Sequence, residues 1–345
     1  MELTPIKARG KRRPKGQQLP VAPSPKRPKR RPGHGERAGT RRPKASHIEM
    51  SMPLEVLERI FWLSENVNFP RAGPRLGRLL SGPSTLRETF LAAFGPTWDV
   101  WFGCVDDRGT AYPTVQSYVG WDRDRDRFGG NPNFQADLLA CSWTTIDMIL
   151  DCWDIWVRRH ARSLSYQYFP LWGSSTSAGS YTNPVATVGS GGIKESRSYF
   201  YHDYDAFRNP ERQDTSTCRL EHNHATWIEV HRSTEIPDRL INGPWDEGSL
   251  QKLFWLVRAG ARLSPSQTWE ATRQGFHNAT SNEDAPNTTI IRLLHILGAF
   301  REWPMHVREE ELCRIEIVTA TLTRDGSADL LAKYYYIGML LINDV

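Results

Sequence analysis

Cysteine is scarce and scattered. Cys104, Cys141, Cys152, Cys218 and Cys313 are the only five in 345 residues, an odd number with no close pair. That usage argues against a disulfide scaffold and fits buried thiols in a reducing compartment. Long apolar runs are missing as well. The longest, Tyr334 to Ile342, falls far short of the roughly 20 residues that a membrane-spanning helix needs, so no membrane partner is expected. The basic start has no apolar stretch behind it, so no secretory signal is expected either.

Catalytic signatures are also lacking. Gly189 to Lys194 departs from phosphate-loop spacing, because Ile193 separates glycine from lysine. Asp122 to Arg127 alternates acid with base, yet Arg127 stands where a calcium loop turns on glycine, and Asn133 where it needs a bidentate glutamate. Cys218, His222, His224 and His231 are the best metal candidates, and their spacing matches no common zinc pattern. His202 beside Asp203 has no nucleophile elbow to serve. Glu309 and Glu310 suit a helix's first turn. The expectation is a protein without catalysis, metal or cofactor.

Charge is unevenly divided. Residues 1 to 47 hold 15 Lys and Arg against 2 Glu, and the remaining 298 hold 29 against 37, so the net +5 splits into +13 and −8. The first 47 residues are rich in Lys, Arg, Pro and Gly with few apolar side chains, a composition that predicts a disordered tail. Lys11, Arg12, Arg13 and Lys15 form one basic cluster, and Lys26, Arg27, Lys29, Arg30 and Arg31 a second. The pair resembles a bipartite nuclear localisation signal, which implies a nuclear import receptor as partner and the nucleus as location, with the cytoplasm as alternative. Phosphate binding to nucleic acid is the competing expectation for the tail, and the less favoured one.

Residues 48 to 96 read as a module of three short helices. Ser51 is the expected cap of a helix opened by Pro53 and running to about Ser64. Its apolar residues Leu54, Val56, Leu57, Ile60, Phe61 and Leu63 spread too widely for one neighbour to cover, so one flank is expected to meet another polypeptide. A second segment spans Arg71 to Leu80, and a third starts at Ser84 with Leu86, Phe90, Leu91 and Phe94. Three helices in so few residues bury little surface alone.

Here the residues resemble a family. Met52-Pro53-Leu54-Glu55-Val56-Leu57-Glu58-Arg59-Ile60-Phe61 is similar to the opening of the F-box, and Leu63-Ser64-Glu65-Asn66, Phe69-Pro70-Arg71-Ala72 and Pro74 to Ser81 resemble its filamentous-fungal variant. The resemblance implies a substrate receptor of a ubiquitin ligase, docked on a Skp-type adaptor and through it on a cullin, with the rest of the chain capturing an unknown protein substrate. Met52, Pro53, Leu54, Leu57, Ile60, Phe61, Pro70, Leu76 and Phe90 are the residues it nominates. Pro53, Leu57, Ile60 and Phe61 are expected to touch the adaptor, and Leu54, Pro70, Leu76 and Phe90 to shape the module. Met52 departs from the usual Leu, a swap of similar volume.

Residues 97 to 345 read as mostly helical, making the whole chain mainly α. Trp98 to Tyr118 is expected to be irregular, Gly173 to Gly192 a flexible loop, Tyr199 to Pro210 a surface loop and Ala225 to His231 a short strand. The strongest periodicity predicts one long helix from about Asn133 to Arg162. Further helices are predicted over Glu247–Ala259, from a Ser264, Pro265, Gln267 capping box to Phe276, and over Asn287–Phe300, Val307–Leu322 and Ser327–Leu341. Leu256 to Ala261 and Leu294 to Ala299 are similar to helix ends of ankyrin-type units, but lie 38 residues apart rather than about 33, and read as ordinary glycine helix stops.

Overall fold

A computed structural model describes residues 51–101, 129–160, 165–167, 185–187, 196–208, 228–264, 266–281 and 285–342. The two basic clusters, the Asp122–Arg127 run and Cys218, His222 and His224 lie outside them. Everything described belongs to one compact unit, residues 45–345.

The fold is mainly α, and it begins with α1 (Leu54–Ser64), a 3-10 turn (Phe69–Ala72) and α2 (Pro74–Leu80). Pro53 itself, not Ser51, occupies the cap of α1, its carbonyl accepting from the Val56 and Leu57 amides at 3.2 Å. Glu65 ends the helix with φ at 50°, the left-handed turn that stops it. α3 (Pro83–Trp101) is longer than the periodicity predicts and passes residue 96 without a break, because Trp98 and Trp101 extend its buried face past Pro96. Its N-terminal turns meet α1, and from Phe90 onward it enters the main core through Phe90, Phe94 and Trp98.

The expected long helix is two, α4 (Pro132–Ala140) and α5 (Ile146–His160). The break is polar. Thr144 Oγ1 donates to the Leu138 carbonyl at 2.6 Å, and the Met148 amide donates to Thr145 Oγ1 at 3.4 Å, so two threonines end one helix and start the next. Two short strands, β1 (Ser165–Gln167) and β2 (Val185–Thr187), pair antiparallel with Tyr166 opposite Ala186, placing a strand inside the stretch read as a loop.

The expected surface loop after Tyr199 is α6 (Ser196–Arg208). Phe200, Tyr204 and Phe207 recur at helical spacing and are buried against Phe254. Residues 228–231 form no strand; the Glu229 and Val230 amides instead bond the Ala259 carbonyl. Then follow α7 (Asp238–Asn242), α8 (Glu247–Arg258), α9 (Trp269–Thr280), α10 (Thr288–Ile296), α11 (Met305–Asp325) and α12 (Ala328–Ile342). The capping-box bond is present, the Ser264 amide donating to Gln267 Oε1 at 3.0 Å, but it closes a turn, and α9 starts later at Trp269. Asn287 caps α10, accepting from the Ile290 amide.

Charge is buried where it ties helices together. Arg258 of α8 pairs with Asp203 of α6 at 3.2 Å, both enclosed. Glu229 accepts from the Trp255 indole at 2.8 Å, and its backbone carbonyl accepts from Trp98 at 2.9 Å. Buried Glu311 of α11 is met by Arg273 and His277 of α9 and by Arg314, and these hydrogen bonds outweigh its burial and hold its carboxyl below the usual range.

Candidate functional site

Two apolar stripes run along α1 on different sides. Leu57 and Phe61 lie one turn apart and face inward, enclosed by Leu76 and Leu80 of α2, with Trp62, Phe69 and Leu79 around them. They form a small core separate from the main one. Val56, Ile60 and Leu63 follow at steps of four and three on the outer side. Leu63 is 84% exposed and Val56 41%, while Ile60 is half-buried. Leu54, at 38%, and Met52, at 36%, extend the apolar surface around the N-terminal end.

Polar bonds lock the rotation of the helix. The Trp62 indole donates to Thr89 Oγ1 at 3.0 Å, Thr85 Oγ1 donates to Glu58 at 2.5 Å, and Asn131 donates to Glu65. Glu58 and Trp62 sit one turn apart on the flank next to Leu57 and Phe61 and away from the outer stripe, and both bonds turn that flank toward α3. The outer stripe is left to solvent, flanked by exposed Glu55 and Arg59.

No family model, no curated protein and no solved structure matches the chain.

Of the four residues expected to touch an adaptor, Pro53 is exposed and Ile60 half-buried. Leu57 and Phe61 are corrected to internal positions. Both fill the module's own core, and a partner could reach them only by unpacking it. Among those expected to shape the module, Leu76 and Phe90 are fully enclosed and Pro70 is half-buried in the 3-10 turn, but Leu54 is on the surface. Val56 and Leu63 are the surface residues that sequence reasoning passed over. Their spacing from Ile60 on a helical wheel was the available signal.

Among the described residues, large exposed apolar side chains occur in only two places. One is α1 with Met52; the other is the α11–α12 hairpin, with Met305, Ile317, Tyr335, Met339 and Ile342. Also among the described residues, no three metal-ligating side chains converge, and no helix is long and apolar enough to cross a membrane.

Proposed function

We propose that this chain is a non-catalytic substrate receptor that docks on a Skp-type adaptor, and through it on a cullin, with the outer face of α1. One observation carries the reading: Val56, Ile60 and Leu63 form an apolar stripe on a helix whose opposite side is already filled. Covering such side chains stabilises a complex by roughly 1.5–3 kcal/mol each before ordering costs, which suits recognition of a helix face by a groove. The F-box resemblance of Met52 to Ser81 supports docking through this helix, and of the residues it nominates Ile60 lies on the outer stripe. The remaining helices present the surface for the captured protein, and the basic tail directs the chain to the nucleus.

The test is co-purification with a Skp-type adaptor. The intact chain retains the adaptor. Val56→Glu combined with Leu63→Glu releases it while leaving the melting temperature within a few degrees, because both residues point to solvent. Equal recovery of adaptor by the double variant removes the assignment.

The charge split favours a second reading, nucleic-acid association through the first 47 residues. Deleting residues 1–46 separates the two. Loss of nuclear entry alone supports the first, and loss of salt-dependent nucleic-acid binding supports the second.

A further inference from the structure

We propose that α12 is a dimerisation helix: its outer side pairs antiparallel with the same side of α12 in a second copy of this chain. The surface is separate from the outer face of α1, so the inference goes beyond the receptor reading and does not depend on it.

α12 has almost no polar side. Its two charged residues, Asp329 and Lys333, bond each other at 2.7 Å. Ile337, Leu340 and Leu341 are buried on the side that packs against α10 and α11. Opposite them Ala328, Ala332, Tyr335, Met339 and Ile342 are exposed, Tyr335 by 60%, Met339 by 58% and Ile342 by 55%. A helix apolar on every side is ordinarily enclosed, and here one side is bare.

Spacing says that a helix covers it. The five residues follow one another at steps of four, three, four and three, which at about 100° per residue confines them to an arc of about 80°. That is the seam one helix presents to another. The order of sizes says which helix. Turning α12 end for end about Tyr335 sets Ala328 opposite Ile342 and Ala332 opposite Met339, so small meets large on both sides of the central tyrosines. A parallel pair would instead set alanine on alanine at one end and the bulky residues on themselves at the other, leaving a wedge-shaped gap. No charge lies on the seam to repel its copy. The exposed parts of the five side chains amount to on the order of 500 Å² per copy, so a pair buries about 1,000 Å², the lower bound for a specific and weak interface.

Sedimentation velocity of the full chain over a concentration series is the test. The expected result is a monomer–dimer equilibrium, half-populated at a concentration on the order of 10 µM. Ala332→Glu or Met339→Lys alone places a charge in the seam and raises that concentration more than about tenfold, with the melting temperature within about a few degrees of the parent's, because both residues are exposed in the single chain. The double variant A332E/M339K returns to within about threefold of the parent, because in the antiparallel register each new acid faces the second copy's new base, whereas in a parallel pair like would face like. A chain still monomeric at about ten times the expected concentration overturns the inference, whether residues 1–47 or a different protein cover the seam. So does a dimer indifferent to both single variants, and so does a double variant that associates no better than either single one.

Discussion

Trp62 donates its indole N–H to Thr89 Oγ1 at 3.0 Å, and this bond holds α1 so that Leu57 and Phe61 face α2 and Val56 and Leu63 face water. The two stripes are therefore expected to answer differently to truncation. Leu57→Ala or Phe61→Ala opens a cavity in the module's core and costs about 2–5 kcal/mol, whereas Val56→Ala costs under about 1 kcal/mol. Thermal unfolding followed by circular dichroism checks this, and equal losses at positions 57 and 56 contradict the placement of the faces.

Lys252 is buried and donates to the Leu139 and Thr144 carbonyls at 2.5 and 2.8 Å, holding the corner between α4 and α5. Burial, then the charge of Arg239, lowers its pKa from 10.5 to about 8, against a smaller opposing effect of Cys141. Between those two values the unfolded chain binds the extra proton, so stability rises with pH across this window, by a gain on the order of 2–3 kcal/mol. Lys252→Met removes that rise and leaves two carbonyls without a donor, at about 1–3 kcal/mol. Denaturant titrations at pH values spanning the window measure both effects.

Glu229 gives the opposite slope. Burial raises its pKa above the ordinary carboxylate value, and Asp203 raises it further, while Arg258 and the Trp255 N–H work against them. The folded protein therefore holds a proton that the unfolded chain has lost, and stability falls as pH climbs out of the ordinary carboxylate range. Glu229→Gln mimics the protonated acid and keeps an acceptor for Trp255. Its expected behaviour is parity with the parent in acid and greater stability at neutral pH, measured by urea unfolding at both.

Gly275 lies where α9 crosses α7. A Cβ there would stand 2.2 Å from the Ile241 carbonyl oxygen, so Gly275→Ala must push the helices apart. The gain in helix propensity, about 1 kcal/mol, is outweighed by this clash, and a net loss of roughly 1–3 kcal/mol is expected. A melting temperature equal to or above the parent's counts against the crossing.

Periodicity made most helices legible. Glu247–Arg258, Thr288–Ile296, Met305–Asp325 and Ala328–Ile342 fall close to where their apolar repeats and Gly, Pro and Asn stops put them. It failed where polar side chains decide. The Thr144 and Thr145 bonds cut one apparent helix in two, and the tyrosines of Tyr199 to Pro210 looked like surface until Tyr204 was placed against Phe254 with its hydroxyl donating to Glu247. The candidate site was half legible. Its location on the first helix followed from excess apolar residues, but of Pro53, Leu57, Ile60 and Phe61, the four expected to touch a partner, Leu57 and Phe61 lie inside, because the run holds two stripes and composition does not say which one α2 covers.

Sequence alone determined the class of fold, the positions of most helices, the separation of a basic tail from a mildly acidic remainder and the presence of more apolar side chains on the first helix than a small module can hide. These depend on local spacing and composition, which a chain carries before it folds. Tertiary structure decided the rotation of that helix, the pairing of Arg258 with Asp203 and the side of α12 that packs on α10. Each of these joins residues far apart in the chain, and a contact across such a distance is selected by packing and hydrogen-bond satisfaction together, which no local pattern encodes.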